Sequence, residues 1–146
     1  TPVTRILTIE ASGIGIACIT AQHFKVPVVF ARKFRAKNVD ENLYYVQVTS
    51  YTHGVDYTVT VPKSFISAQD SVLLIDDFLA NGCALDGLVA LTRVAGARLA
   101  GAGVVIEKGF QSGGQRMRES NIHLESLAII ESMGPEGIRF RETSLP

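Results

Sequence analysis

Val72-Leu-Leu-Ile-Asp-Asp-Phe-Leu-Ala-Asn-Gly-Cys-Ala-Leu85 decides the reading of this chain. Its first four residues are apolar, the signature of a strand covered on both faces in a parallel sheet. They end in two adjacent carboxylates, Asp76 and Asp77. A loop of small residues follows, Ala80, Asn81, Gly82, Cys83 and Ala84. The stretch from Gly82 to Ala95 has helical period, with Gly96 placed as a C′ residue. Ligands of parallel sheets bind beyond the carboxyl ends of the strands. Neighbouring strand residues point to opposite faces, but at a fraying end both carboxylates can reach one ligand. Carboxylates accept hydrogen bonds from vicinal hydroxyls, as in a ribose. Exposed loop N–H groups and a helix N-terminus suit a phosphate dianion. The segment therefore reads as a pocket for a ribose 5-phosphate.

The flanks give the same sheet. Arg5 to Glu10 is apolar and β-branched, Ala11-Ser12-Gly13 is turn-like, and Ile14 to Phe24 is long enough for a helix. Val26 to Ala31 is a continuous apolar run ending in Arg32-Lys33. Tyr44–Ser50 and Asp56–Val61 alternate with period two around a Gly-bearing tip, which reads as a β-hairpin. Gly101–Ile106 is the next strand, Gln111–Asn121 a polar loop or helix, and Leu127–Ile130 and Gly137–Arg141 are late strands. Alternating strands and helices predict an α/β fold: a mostly parallel, Rossmann-like sheet of about five strands flanked by helices, with the hairpin as an insertion.

Composition narrows the function classes. The 146 residues suit one domain spanning 1–146, and 47% hydrophobic with 19% charged residues excludes a disordered chain. Fourteen basic and fourteen acidic residues give zero formal charge, against a general nucleic-acid binder. No apolar run approaches the roughly 20 residues of a membrane span. Cys18 and Cys83, far apart and outside any CxxC, suit a reduced cytoplasmic protein and not a zinc site. Cys18 reads as core and Cys83 as a small loop residue. His23, His53 and His123 are scattered and receive no catalytic role. Gly13-Ile-Gly-Ile-Ala-Cys18 approaches a dinucleotide fingerprint, but Cys18 stands at its third position and the second strand ends in cations instead of an acid. Lys25, Arg32, Lys33, Arg35 and Lys37 include no acid among them and make a local positive field.

The acidic pair and its loop resemble the phosphoribosyl-diphosphate (PRPP) motif of type I phosphoribosyltransferases, in the version of the bacterial xanthine enzymes. Ile9–Ile14, Val26–Lys33, Leu99–Lys108 and Glu125–Ala128 match that family in order. The resemblance implies transfer of 5-phosphoribose from PRPP to xanthine or a related 6-oxopurine, with Mg²⁺ carried by PRPP and no metal cluster of the protein's own. It makes Asp76 and Asp77 catalytic, and Ala80–Ala84, with Asn81 in place of a Thr or Ser, the phosphate loop. Ala11, Ser12 and Gly13 become the diphosphate loop, joined by Arg32 and Lys33. Lys108 and Phe110 would contact the base. It implies a homodimer and a mobile loop at Tyr51–Asp56 closing over the reaction centre. Family members carry several tens of residues before the first core strand as a hood over the purine; this chain opens at that strand. The same domain also serves PRPP-sensing regulators without catalysis, and hypoxanthine or guanine transferases.

Overall fold

The computed structural model describes residues 2–34, 40–49, 54 and 56–142. Its elements are β1 (Arg5–Ile9), α1 (Ile14–Phe24), β2 (Val28–Phe34), β3 (Leu43–Thr49), β4 (Asp56–Pro62), β5 (Ser71–Leu79), α2 (Cys83–Val94), β6 (Arg98–Lys108), α3 (Gly113–Glu119), β7 (Leu124–Gly134) and β8 (Gly137–Phe140). The strands lie in the order β3-β4-β2-β1-β5-β6-β7-β8. Pairing is parallel from β2 through β1, β5 and β6 to β7, and antiparallel where β4, β3 and β8 extend the edges.

Two layers of helix sandwich the sheet. Leu7, Val72 and Leu74 face a core shared with Leu85, Leu88 and Leu91 of α2 and Met117 of α3. On the other side Ile6 and Ile75 pack against Ala17 and Ala21 of α1. The alternation of Leu74 and Ile75 between those cores is why the run from Val72 to Ile75 is apolar throughout. Gly96, at φ +72°, ends α2 as the sequence predicts: its N–H donates to the Arg93 carbonyl at 2.9 Å, and that φ favours glycine.

The predicted fold class holds, with corrections. The parallel strands number five, but the described sheet has eight, because the two hairpin strands join it at one edge and β8 at the other. β4 pairs with the free edge of β2 through Arg32, Lys33 and Phe34. β2 therefore runs on through the cations that were expected to follow it. β5 likewise runs on through Asp76 and Asp77 to Leu79, because β6 pairs with it as far as Leu79↔Glu107. The acidic pair is thus inside a strand and not at a fraying end. Cys18 is exposed: Ala17 and Ala21 occupy the inward stripe of α1, and one residue further the helix has turned outward. The hairpin tip at 50–53 and 55, and Arg35 and Lys37, lie outside the described residues.

Candidate active site at the carboxyl edge of the sheet

From β1 the chain moves to β2 on one side, and from β5 it moves to β6 and β7 on the other. The β1–β5 boundary is therefore the switch point of the sheet, where loops part and leave a crevice. The loop at 10–13 leaves β1 there, and Asp76 stands across from it on β5. A Cβ added to Gly13 would lie 2.9 Å from Asp76 Oδ1 and would also run into Thr8 Oγ1. The diphosphate-type loop and the acidic strand thus touch backbone to carboxylate, which a side chain at position 13 would prevent.

Strand geometry gives the two carboxylates different surroundings. Asp76 is 7% exposed, whereas Asp77 is half-buried. Asp76 Oδ1 accepts from the Asp77 N–H (2.9 Å), and Asp77 Oδ1 accepts from the Phe78 N–H (2.8 Å). Burial pushes the Asp76 carboxyl up to about 7; the Asp77 N–H opposes the rise, the Asp77 charge adds to it, and Lys33 pulls it down. Burial acts upward on Asp77 too, but hydrogen bonds from Asp76, Ser12 and the Phe78 N–H outweigh it and hold that carboxyl below its usual range. Near neutral pH the pair is one ionised carboxylate beside one half-protonated acid. That suits a site that both grips hydroxyls and handles a proton.

The small-residue loop closes the crevice on the α2 side. A hollow of about 120 Å³ is lined by Asp76, Phe78 and all five residues 80–84. Gly82 precedes α2 at φ +88°, a conformation that favours glycine. A Cβ there would also lie 2.9 Å from Arg116 Nη2 and 3.0 Å from Gly113 Cα. Asn81 Oδ1 accepts from the Cys83 N–H at 3.1 Å, so the amide oxygen of Asn81 shapes the loop. The Gly113 N–H donates to the Ala80 carbonyl at 3.0 Å, tying the start of α3 to this loop. Larger hollows between α2 and α3, and beside β2 and β4, do not include the acidic pair.

The other expected residues fall on the same edge, with one exception. Glu10 Oε1 accepts from the Lys33 N–H at 3.0 Å, joining the 10–13 loop to β2. Lys33 acts on Asp76, as above. Arg32, one residue earlier, faces the opposite side and lies over the Phe30 ring at 5.8 Å. The structure therefore does not bring Arg32 and Lys33 together. Lys108 ends β6, one residue beyond the Leu79↔Glu107 pair, and an exposed Phe110 follows. Among the described residues no group of three or more His, Cys, Asp or Glu side chains is placed to hold a metal ion.

Three side chains escaped the sequence reading. Thr8 is fully buried, and its Oγ1 is the single buried side-chain polar atom without a partner among the described residues. A hydroxyl inside an apolar strand was the available signal. Glu107 is 2% exposed; it accepts from Arg118 (3.0 and 2.7 Å) and Ser126 (2.7 Å), locking β6 to α3 and β7 beneath Lys108. Tyr57, at the start of β4, places its ring under the Lys33 ammonium, 5.5 Å away.

The sheet order, with its switch point opposite an acidic pair and a glycine loop, defines an α/β protein with a crevice at the carboxyl edge of its sheet. The phosphoribosyl transferase domain model matches residues 3–133, and the chain belongs to that family. It is 58% identical over 134 residues to the xanthine phosphoribosyltransferase of Lachnoclostridium phytofermentans, covering 92% of this chain and 69% of that protein. It is 51% identical over 140 residues to the enzyme of the same name from Ruminiclostridium cellulolyticum, covering 96% and 74%. In structure it resembles the adenine phosphoribosyltransferase of Giardia lamblia, solved with 9-deazaadenine, at TM-score 0.76 and 26% identity over 88% of this chain and 70% of that one. No described helix is long and apolar enough to cross a membrane.

Proposed function

We propose that this protein transfers 5-phosphoribose from PRPP to xanthine, forming the nucleoside monophosphate and diphosphate. The carrying observation is the similarity to xanthine phosphoribosyltransferases, 58% identity over 92% of this chain and 51% over 96%. In this reading the bond from the anomeric carbon to diphosphate oxygen breaks, the bond to a purine nitrogen forms, and the purine loses a proton. The sugar passes through a cation like that of glycoside hydrolysis.

Each residue has a task. The N–H groups of 80–84 and the N-terminus of α2 hold the 5-phosphate. Asp77, ionised, accepts ribose hydroxyls. Asp76, with its pKa near 7, can take up the purine proton. The backbone of residues 11–13 and the Lys33 ammonium receive the departing diphosphate. Lys108 donates to the purine oxygens or N7 and Phe110 stacks on the ring. The two carboxylates fit Mg²⁺, a hard ion that keeps several waters and uses few protein ligands. Arriving on PRPP, Mg²⁺ would neutralise charge on the leaving diphosphate. Two cysteines without a disulfide suit a reducing cytoplasm, and the reading includes a homodimer.

Calorimetric titration with PRPP–Mg²⁺, followed by nucleotide formation with xanthine, hypoxanthine, guanine and adenine, tests the proposal. Binding with turnover fastest on xanthine supports it. Preference for another purine overturns the base assignment, and binding without turnover overturns the enzyme reading in favour of a sensor.

A further inference from the structure

Lys33 is the cation that acts on Asp76, yet its own side chain is exposed and has four rotatable bonds. Left free, such an ammonium samples many positions and is a poor anchor for a diphosphate. The backbone of Lys33 is pinned from the 10–13 loop by Glu10. The side chain is pinned from elsewhere. In the antiparallel β2–β4 ladder Lys33 stands opposite Val59 and Phe34 opposite Thr58. Tyr57 therefore lies two residues beyond the cross-strand partner of Lys33, on the same face, at the diagonal position long side chains can reach. There the Lys33 Nζ sits 5.5 Å from the ring centroid, within cation–π range. β4 runs against the parallel strands, so Tyr57 comes at the end of the sheet that carries the acidic pair. Tyr57 is half-buried.

We infer that Tyr57 is a positioning residue for the diphosphate site: its ring holds the Lys33 ammonium over the acidic edge of the sheet, ready for the leaving group of the sugar donor. The assignment rests on the reaction proposed above. Burial, followed by the Cys83 thiol and the Asp76 carboxyl, pushes the Tyr57 hydroxyl up, so the ring meets Lys33 as a neutral phenol. The hydroxyl itself is not required; the π face is.

The test is a double-mutant cycle read in the KM for PRPP and in kcat. Tyr57→Phe keeps the ring and leaves the KM for PRPP within about twofold. Tyr57→Leu removes the ring and raises that KM by about 3- to 10-fold, the range of a partly desolvated cation–π contact, with the KM for xanthine unchanged. In a Lys33→Met background Tyr57→Leu adds nothing further. Equal losses in Tyr57→Phe and Tyr57→Leu, or additive losses in the cycle, overturn the inference. If Tyr57→Leu does not fold, Tyr57→Met supplies apolar bulk without a π face. A measurement needing no variant stands beside these: the Lys33 side-chain methylene protons of the native protein should shift upfield in NMR under the Tyr57 ring, and unshifted resonances overturn the contact. Native protein without PRPP affinity overturns the functional reading and the role with it, even where the ring shift persists. Normal PRPP affinity with an additive cycle overturns the role alone.

Discussion

Gly13 and Asp76 meet across the β1–β5 boundary so closely that a methyl group on Gly13 would stand 2.9 Å from Asp76 Oδ1 and 3.5 Å from Asp76 Cα. The methyl would also run into Thr8 Oγ1, a fully buried β-branched side chain, and Asp76 Oδ1 is held by the Asp77 N–H, so neither clashing oxygen swings away freely. Gly13→Ala must therefore displace the 10–13 loop from β5. The expected outcome is a loss of about 1–3 kcal/mol of stability by denaturant titration, the range for overpacking, together with at least tenfold weaker PRPP binding. An unchanged PRPP affinity would show that the loop does not serve the diphosphate.

Asp76 gives a pH dependence with a definite sign. Its folded pKa, about 7, lies above the unfolded value of 3.8. The folded state therefore holds a proton more tightly than the unfolded chain. That contribution is fully present below about pH 4 and is lost as pH rises to about 7. Asp76→Asn removes the effect: its melting temperature at pH 8 should exceed that of the native protein, by roughly 2–4 °C per kcal/mol recovered for a chain of this size. Turnover should fall about 10²- to 10⁴-fold in the same variant. A variant that retained native turnover would contradict the catalytic assignment.

Gly82→Ala tests the other wall of the site. An alanine would be forced into left-handed backbone, at a cost of about 1–2 kcal/mol. Its methyl would also press on Arg116 and Gly113. Calorimetry should show weakened binding of ribose 5-phosphate as well as PRPP, because the 5-phosphate is common to both. Loss confined to PRPP would place the 5-phosphate elsewhere.

Arg118 tests the support beneath Lys108. Hydrogen bonds from Arg118 and Ser126 outweigh the upward push of burial and hold the Glu107 carboxyl below its usual range. Its contribution to stability is therefore present above the unfolded pKa, 4.5, and is lost as pH falls. Arg118→Ala should reverse the sign, because an unpaired buried carboxyl is raised, so the variant loses stability as pH rises. Since Arg118 is partly exposed, the loss at pH 8 should be about 1–3 kcal/mol, below that of a fully buried pair. Melting curves at pH 4 and pH 8 separate these signs.

The parallel core was legible because its signals are local. The bounds of α1, Ile14–Phe24, follow from one apolar stretch after a turn, and Gly96 marks the end of α2 by itself. The acidic pair and its small-residue loop could be read for the same reason. What stayed hidden depends on register between distant strands. Nothing near Arg32 or Lys33 says that β4 will extend β2 past both, placing one on each face. Nothing near Tyr57 says that its diagonal neighbour is Lys33. Burial of Glu107 comes from α3 and β7 closing over it, and neither announces this in sequence.

The hydrogen bond from Gly113 to Ala80 has a consequence for selectivity by length. Residues 108–112 and the loop at 80–84 share that stitch, so the two ends of the crevice keep a fixed spacing, as the jaws of a gauge do. In the proposed reaction a nucleotide would span both jaws, whereas a base or a sugar phosphate alone would touch one. Products with a longer or shorter arm between ring and phosphorus would then be rejected by dimension, independently of the atoms they present.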